Sequence, residues 1–398
     1  MYEKCGFSSF AKTGDIYCLF YEKALQLLSD DGLCCFITSN KWMRAAYGEK
    51  LRELFANHTN PRILIDFAGV KVFDSATVDT NILLYQKTEN KHKTVACVTK
   101  NMSKDDLKKL SVFIQHNSSL MNFDSCDSWV ILSAIEHNIK EKIATTGVPL
   151  REWDITIYRG ILTGFNDAFI ISSETRAEIL GKCVDEDERK RTDAIIRPIL
   201  RGRDIQRYTY VNNGLWLINT HNGMKGKLPK INIDEYPAIK THLDRYWDKI
   251  STRADKGDTP YNLRNCAYLD DFNKPKIVWK RVGSILRFSY DNSGMMALDS
   301  TCFATGQHIE FLVALLNSKM GHYLLKDSPK TGTGDLLVSV QAIEPIKVPV
   351  PSESLEKKIC SLLTEVIQKK NGSEAKLDEL IYSMYNLEPN EIDFIEHQ

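Results

Sequence analysis

Over its first ninety residues the chain switches repeatedly between helical and strand periodicity, and that alternation constrains the fold more than any other feature. Apolar residues at 16, 19, 20, 24, 27 and 28 recur at helical spacing between Asp15 and Leu28. Asp30-Asp31-Gly32 is a turn. Leu33-Cys-Cys-Phe-Ile37 is short and wholly apolar, which predicts a buried parallel strand. Gly48–Ala56 reads as a second helix; Arg62–Phe67 and Thr80–Tyr85 read as strands. Helix, strand, helix, strand, strand is an α/β order. Two polar clusters, Thr13-Gly14-Asp15 and Thr38-Ser-Asn-Lys-Trp42, stand where such a sheet places ligands, but taken alone loop chemistry accounts for both better than a site does.

The middle of the chain reads differently. Trp153–Ile161 alternates as a strand, Thr163–Ile171 is a turn feeding another, and Ser173–Leu180 is a short helix. Asp185–Arg191 is read as a charged, solvated loop, and Leu215–Ile218 and Lys276–Trp279 as further strands. This predicts an irregular α+β domain. Between 195 and 290 stand 18 Lys+Arg against 9 Asp+Glu, an excess of +9 in a chain of net charge zero. Tyr208, Tyr210, Trp216, Tyr246, Trp247, Tyr261, Tyr268, Trp279 and Tyr290 are interleaved with these cations. Such a mixture suits phosphate neutralisation with base reading, and a solvated basic face is the plain alternative. The tail, with apolar positions 355, 359, 362, 363, 366, 367 and then 377, 380, 381, 384, 385, predicts two amphipathic helices. A short third begins at Pro389, and all three are expected to pack on their own domain, with a protein partner as the alternative.

Composition removes several classes. No apolar run approaches the roughly 20 residues of a membrane span, and Met1-Tyr-Glu-Lys-Cys is no signal peptide. The ten cysteines include no CxxC pair, so neither a zinc site nor a secreted disulfide framework is expected. Buried thiols and a cytoplasmic location are. No membrane partner and no metal are expected.

Gly14–Ala24, Asp31–Trp42 and Gly48–Arg52 together resemble the later half of N6-adenine DNA methyltransferases of the TaqI-like and type IIG restriction–modification kind. Ile65-Asp-Phe67, Val72–Val78 and Thr80–Tyr85 continue the likeness. That family's Asn-Pro-Pro-Tyr motif and glycine-rich S-adenosylmethionine loop are absent from this sequence. The resemblance therefore implies a truncated Rossmann-like sheet, the C-terminal portion of a larger enzyme. No catalytic or cofactor-binding residue is expected in this chain, S-adenosylmethionine belonging to the intact parent. Gly160–Phe169, Ile199–Tyr208, Thr259–Arg264, Pro275–Arg281, Leu298–Phe303, Leu312–Lys319 and Ile346–Pro351 resemble the TaqI-like target-recognition domain, in that order.

The expected organisation is α/β followed by α+β. Residues 1–100 form the C-terminal part of the methyltransferase domain, 101–144 a helical connector, 145–352 the target-recognition domain and 353–398 C-terminal amphipathic helices. Arg can bridge guanine O6 and N7, and Asn or Gln the adenine edge. Arg201, Arg203, Arg253, Arg264, Asn262 and Asn265 are the candidate base readers. Arg207 is a further DNA-binding candidate, and Lys256, Lys274, Lys280, Arg281, Lys326 and Lys330 are the candidate phosphate contacts. Double-stranded DNA is the expected partner, with an upstream methyltransferase half or restriction subunit as a second. The competing readings are a specificity subunit that acts only in complex with separate methylating and cleaving chains, and an unrelated α/β enzyme with a pocket near Asn40.

Overall fold

A computed structural model of the chain describes residues 2–68, 70, 72–73, 78–99 and 106–397. Positions 74–77 of the Val72–Val78 stretch and 101–105 of the expected connector lie outside the described residues. The chain forms two compact units, Met1–Lys140 and Glu141–Gln398.

The first unit is built on strands β1 (Leu33–Ser39), β2 (Asn60–Asp66), β3 (Thr80–Gln86), β4 (Thr94–Val98) and β5 (Ser119–Met121). Their spatial order is β1-β3-β2-β4-β5. β2 and β4 run parallel, and the other neighbours are antiparallel. Helices Tyr17–Leu27 and Glu49–His58 cover one face, where Tyr21, Leu51 and Phe55 meet Cys34, Leu64, Leu83 and Tyr85. Tyr21 and Phe55 pack edge to face with ring centroids 5.2 Å apart, a favoured aromatic geometry. Arg52 is buried beneath this layer and donates to the carbonyls of Trp42, Ala45 and Cys126, which ties three loops together. On the opposite face, helix Leu110–Asn117 packs with Ile65, Phe67 and Cys97.

Three expectations change here. β1 is neither parallel nor buried on both faces: it pairs antiparallel with β3 at the edge of the sheet, and Leu33, Cys35 and Ile37 face outward, exposed. A five-residue apolar run carries no periodicity, so it could not tell a central strand from an edge strand. Cys34 is buried while Cys35 is exposed, because successive side chains point to opposite faces. Two elements of the first sheet, β4 and β5, went unread; β5 follows the helix of the expected connector and pairs with β4.

The second unit holds β6 (Val148–Pro149), β7 (Ile155–Arg159), β8 (Ile170–Ser172), β9 (Ile196–Leu200), β10 (Leu215–Ile218) and β11 (Lys276–Lys280). It continues with β12 (Val282–Gly283), β13 (Phe288–Asp291), β14 (Met296–Ala297), β15 (Thr301–Gly306), β16 (Leu336–Leu337) and β17 (Lys347–Val348). Two four-stranded sheets result, ordered β14-β9-β10-β8 and β13-β11-β15-β7, with the pairs β12–β16 and β17–β6 beside them. One core joins both sheets, with Ile171, Ile196, Ile199 and Leu217 meeting Val278 and Phe303. The chain passes directly from one sheet to the other at Leu298–Ser300. Gly160 sits against this crossing: a Cβ there would lie 2.1 Å from the Leu298 carbonyl oxygen, so only glycine lets the backbones approach.

Asp185–Arg191 is not a loop. Glu186–Ile195 is a helix capped by Asp185, whose carboxylate accepts from the Glu188 amide. Glu188 is fully buried and accepts from the amides of Val184 and Ala238. The charge that suggested solvent is in part a capping device. The tail forms helices Glu353–Ile367, Ser373–Met384 and Pro389–Glu396, with Pro389 in the first turn. They pack on helices Ile309–Asn317 and Lys319–Leu325 of the same unit.

Candidate nucleic-acid interface

Three strand ends converge on Leu298–Thr301. The Leu298 amide donates to the Leu200 carbonyl after β9, Asp299 to Ile161 after β7, and Arg281 after β11 to Ser300. The Gly202 amide donates to Ser300 Oγ at 3.0 Å. This convergence brings Arg159, Arg201, Arg203, Lys280 and Arg281 to one end of the two sheets. Lys280 lies across Gly202 and Gly283, and Lys330 bridges to Leu336, the partner of Gly283 in the β12–β16 pair. Among the described residues, Arg203, Lys280 and Lys330 are exposed and have no carboxylate within ion-pair distance.

From Arg159 a groove runs onward. A recess of about 250 Å³ is lined by Arg159–Leu162, Arg264–Cys266 and Tyr268. It shares Asn265 and Cys266 with an open cleft of about 890 Å³, whose other wall is the Asn222–Lys230 loop. That loop is a tight hairpin, closed by hydrogen bonds between Met224 and Leu228. Its base is pinned at Asp258, which accepts from Lys230 Nζ at 2.8 Å and Asn222 Nδ2 at 3.0 Å. Its tip carries Lys225 and Lys227, exposed and without an ion-pair partner among the described residues. His221, just before the hairpin, is held neutral: burial pushes its pKa down, and its Nδ1 accepts from the Gly223 amide.

The expected DNA-contacting residues divide by what already holds them. Arg253 is 7% exposed and stacks on Phe169. It donates to the carbonyls of Asp255, Pro260 and Asn262 at 3.1, 2.7 and 2.7 Å. Burial lowers its pKa to about 10. Asn262 is also buried, accepting from Thr259 and donating to the Ile231 carbonyl. Both are struts of the loop behind the groove, because their polar atoms are already paired and shielded. Arg201 makes a forked pair with Asp204, at 3.0 and 2.9 Å. Burial alone would raise the Asp204 pKa, but Arg201 and Asn213 outweigh it and lower it. Arg207 donates to the Asn317 carbonyl and pairs with Glu374.

The remaining candidates are nearer solvent. Arg264 pairs with Asp255 at 3.0 Å at the groove rim, and Lys274 with Asp271 at 2.6 Å. Lys256 donates to the Ser251 carbonyl. Lys326 lies over the Tyr323 ring. Arg281 Nε is buried with no hydrogen-bond partner, which leaves that donor unsatisfied at the convergence of strands. Lys225, Lys227 and Arg159 escaped the sequence reading. The signal for the first two was present, three lysines and two glycines within the eight residues Gly223–Lys230. In the first unit, Asn40 donates to buried Asp66, which also holds Arg44, so that cluster is wired into the sheet.

Residues 1–73 match the Eco57I restriction-modification methylase family, and residues 197–339 the TaqI-like C-terminal specificity domain. The type II methyltransferase M.BstVI of Geobacillus stearothermophilus is 22% identical over 406 residues, covering 96% of this chain and 69% of that protein. The type II methyltransferase M.PaeR7I of Pseudomonas aeruginosa is 23% identical over 260 residues, covering 62% of this chain and 42% of that one. The solved structure of the type IIL restriction-modification enzyme MmeI in complex with DNA superposes with a TM-score of 0.51 at 11% identity. It covers all of this chain, which spans 53% of MmeI. The chain thus carries a restriction–modification methylase segment followed by a TaqI-like specificity segment.

Proposed function

We propose that this chain is the DNA-reading portion of a restriction–modification N6-adenine methyltransferase, and that its second unit holds double-stranded DNA along the cationic groove. The observation that carries this reading is the set of exposed, unpaired cations in and beside the segment that matches the specificity family. Arg203, Lys280 and Lys330 stand at the converged strand ends, and Lys225 and Lys227 at the hairpin tip. Arg264 and Asn265 lie between them, where base edges would be met. Side chains that are free and solvated can exchange counterions for phosphates, whereas Arg201, Arg207 and Arg253 would first have to break internal bonds.

The family's methyl donor, S-adenosylmethionine, does not fit the described residues of the first unit. Its first strand, β1, runs into the Asn40–Met43 turn with no glycine to admit a nucleoside or a carboxylate. We therefore route no chemical step through this chain and assign flipping and methylation of the adenine to a methyltransferase segment that it would accompany.

Among the described residues no strand pairs with the outer edge of β1, which favours that arrangement. Leu33, Cys35 and Ile37 are exposed on the sheet face beside that edge, and half-buried Leu84 and Ile82 of β3 lie opposite Cys35 and Ile37. An apolar sheet face next to an open edge accommodates a further strand and the helix that crosses back over it. We read the first unit as part of a larger Rossmann-like sheet, and the specificity-subunit alternative would use the same edge.

The test is duplex binding by the full chain over a salt series. Five neutralised phosphates give log K a slope against log salt of roughly −4 to −5. Replacing Arg203, Lys280 and Lys330 together by alanine should lower that slope by about 3. Binding with no salt dependence would overturn the reading.

A further inference from the structure

After β11 the chain turns into a small ribbon. β12 pairs with β16, and Lys330 bridges to Leu336 from the other side of β16. The base of the ribbon is tied down. The Val338 amide donates to the Arg281 carbonyl at 2.8 Å and the Leu337 amide to the Pro329 carbonyl at 2.7 Å. Buried Trp279 donates from Nε1 to the Val338 carbonyl at 2.9 Å. The end of the ribbon is open to solvent. Ile285, just after β12, is 61% exposed, and Val282, Leu286, Leu336 and Leu337 near it in the same two segments are half-buried. A Cβ at Gly283 would meet Lys280 Nζ at 3.5 Å and the Ile285 carbonyl oxygen at 3.6 Å, so the Lys280 ammonium stands beside the backbone that carries Ile285. Residues 280–287 and 329–337 hold Lys280, Arg281, Arg287 and Lys330 against one carboxylate, Asp335, which accepts from the Thr333 hydroxyl.

An exposed aliphatic standing alone is ordinary on a protein surface. Ile285 stands on a braced turn in a cationic surround, and that combination selects the partner. The core of a protein-binding patch is depleted of charge, lysine included. An aliphatic wedge in DNA has the reverse setting, since the phosphates around the inserted side chain need cations close by. We infer that Ile285 is a wedge that enters between adjacent base pairs of the bound duplex and unstacks them, with Lys280 and Lys330 holding phosphates beside the opened step. The inference rests on the DNA-reading function proposed above. Isoleucine suits the role: it has no hydrogen-bonding group to leave unpaired between bases, and its β-branch makes it stiff. The bonds at the base of the ribbon are made before DNA arrives, so the wedge is ordered in advance. Unstacking also gives a sequence preference without any base-edge contact, because pyrimidine–purine steps open most easily.

The test binds the full chain to a randomised duplex pool, oxidises the complexes with permanganate and sequences the products. Permanganate attacks thymines that have lost a stacking neighbour. Bending is read by energy transfer between dyes at the ends of the recovered duplexes. The wild-type chain should make a pyrimidine–purine step reactive and kink the duplex by about 20° or more. Ile285→Ala should return both signals to those of free DNA, with the salt slope and the urea midpoint unchanged, and Ile285→Leu should keep both signals. Lys280→Ala/Lys330→Ala should lower the slope by about 2. Salt-dependent binding with no reactive step, or a reactive step and kink that persist in Ile285→Ala, overturns the inference and leaves the DNA-reading function standing. Absence of salt-dependent binding by the wild-type chain overturns the function itself.

Discussion

Replacing Arg253 by alanine separates two roles that a count of positive residues confuses. Its guanidinium makes three short hydrogen bonds to the carbonyls of Asp255, Pro260 and Asn262, and stacks on Phe169. Bonds from a charged donor contribute about 1.5–3 kcal/mol each, and the truncation leaves buried carbonyls unpaired. Against this, burial opposes the charge: the lowering of its pKa to about 10 corresponds to roughly 3 kcal/mol, which the alanine variant recovers. The net expectation is a loss of about 3–5 kcal/mol, a large fraction of a domain's stability. Urea unfolding of the full chain, followed by tryptophan fluorescence, should show a lower midpoint for the transition of the Glu141–Gln398 unit. Arg253→Lys should restore little, since an ammonium cannot span three carbonyls and a ring. Where the variant is still folded, its salt slope for DNA should equal that of the wild type. A variant as stable as wild type whose slope drops by about 0.9 would refute the argument and return Arg253 to the phosphates.

Lys276 and Asp291 are both fully buried and paired, so Lys276→Met, which strands a carboxylate, should destabilise by about 3–5 kcal/mol, and adding Asp291→Asn should recover part of it in the same urea assay. Burial lowers the pKa of His221, His242 and His322. Neutral imidazole is the folded form, so their stability contribution is complete above about pH 6.5 and is lost as pH falls through the depressed folded values. A urea midpoint flat from pH 8 to pH 5 would contradict this. At the β1 edge, amides of Leu33–Ile37 that point away from β3 should exchange fast in a monomer, and Ile37→Lys should weaken any association across that edge. Uniform strong protection in a proven monomer would exclude the open-edge reading.

Periodicity carried the helices and most strands because burial of one face leaves its imprint on sequence. Tyr17–Leu27, Glu49–His58 and the three tail helices follow their apolar spacing closely. The errors share a physical origin. Leu33–Ile37 is apolar at every position although Leu33, Cys35 and Ile37 face outward, so its run of apolar residues gave no sign that one face is uncovered. Asp185–Arg191 is polar for two reasons at once, solvation on one side and capping on the other, and only Asp185 three residues before Glu188 distinguishes them. The short strands β12, β14 and β16 have no periodicity to read, because two residues cannot show one.

The sequence marks the candidate site as a basic region and does not say which of its cations stay free after folding, for an electrostatic reason. Sequence gives the number of cations, while function depends on which of them keep their hydrogen-bonding capacity after folding. Neighbouring charge gives a partial clue. Arg201 is three residues from Asp204 and Lys274 three from Asp271, and both pairs form. Arg203 stands even nearer Asp204 in sequence and yet is free, because the turn that follows β9 gives the carboxylate to Arg201 and turns Arg203 outward. Asn262 and Asn265 show the same separation over three residues: one is buried against the Ile231 carbonyl, the other is exposed, lines the cleft and accepts from Asn222. The partner of Asn265, Asn222, is 43 positions away and so invisible to local sequence reading. A residue's type gives what it can offer a base, and its internal bonds subtract from that offer. The remainder is what the proposed DNA reading would use, and among the described residues the cations that keep it are Arg203, Lys225, Lys227, Lys280 and Lys330.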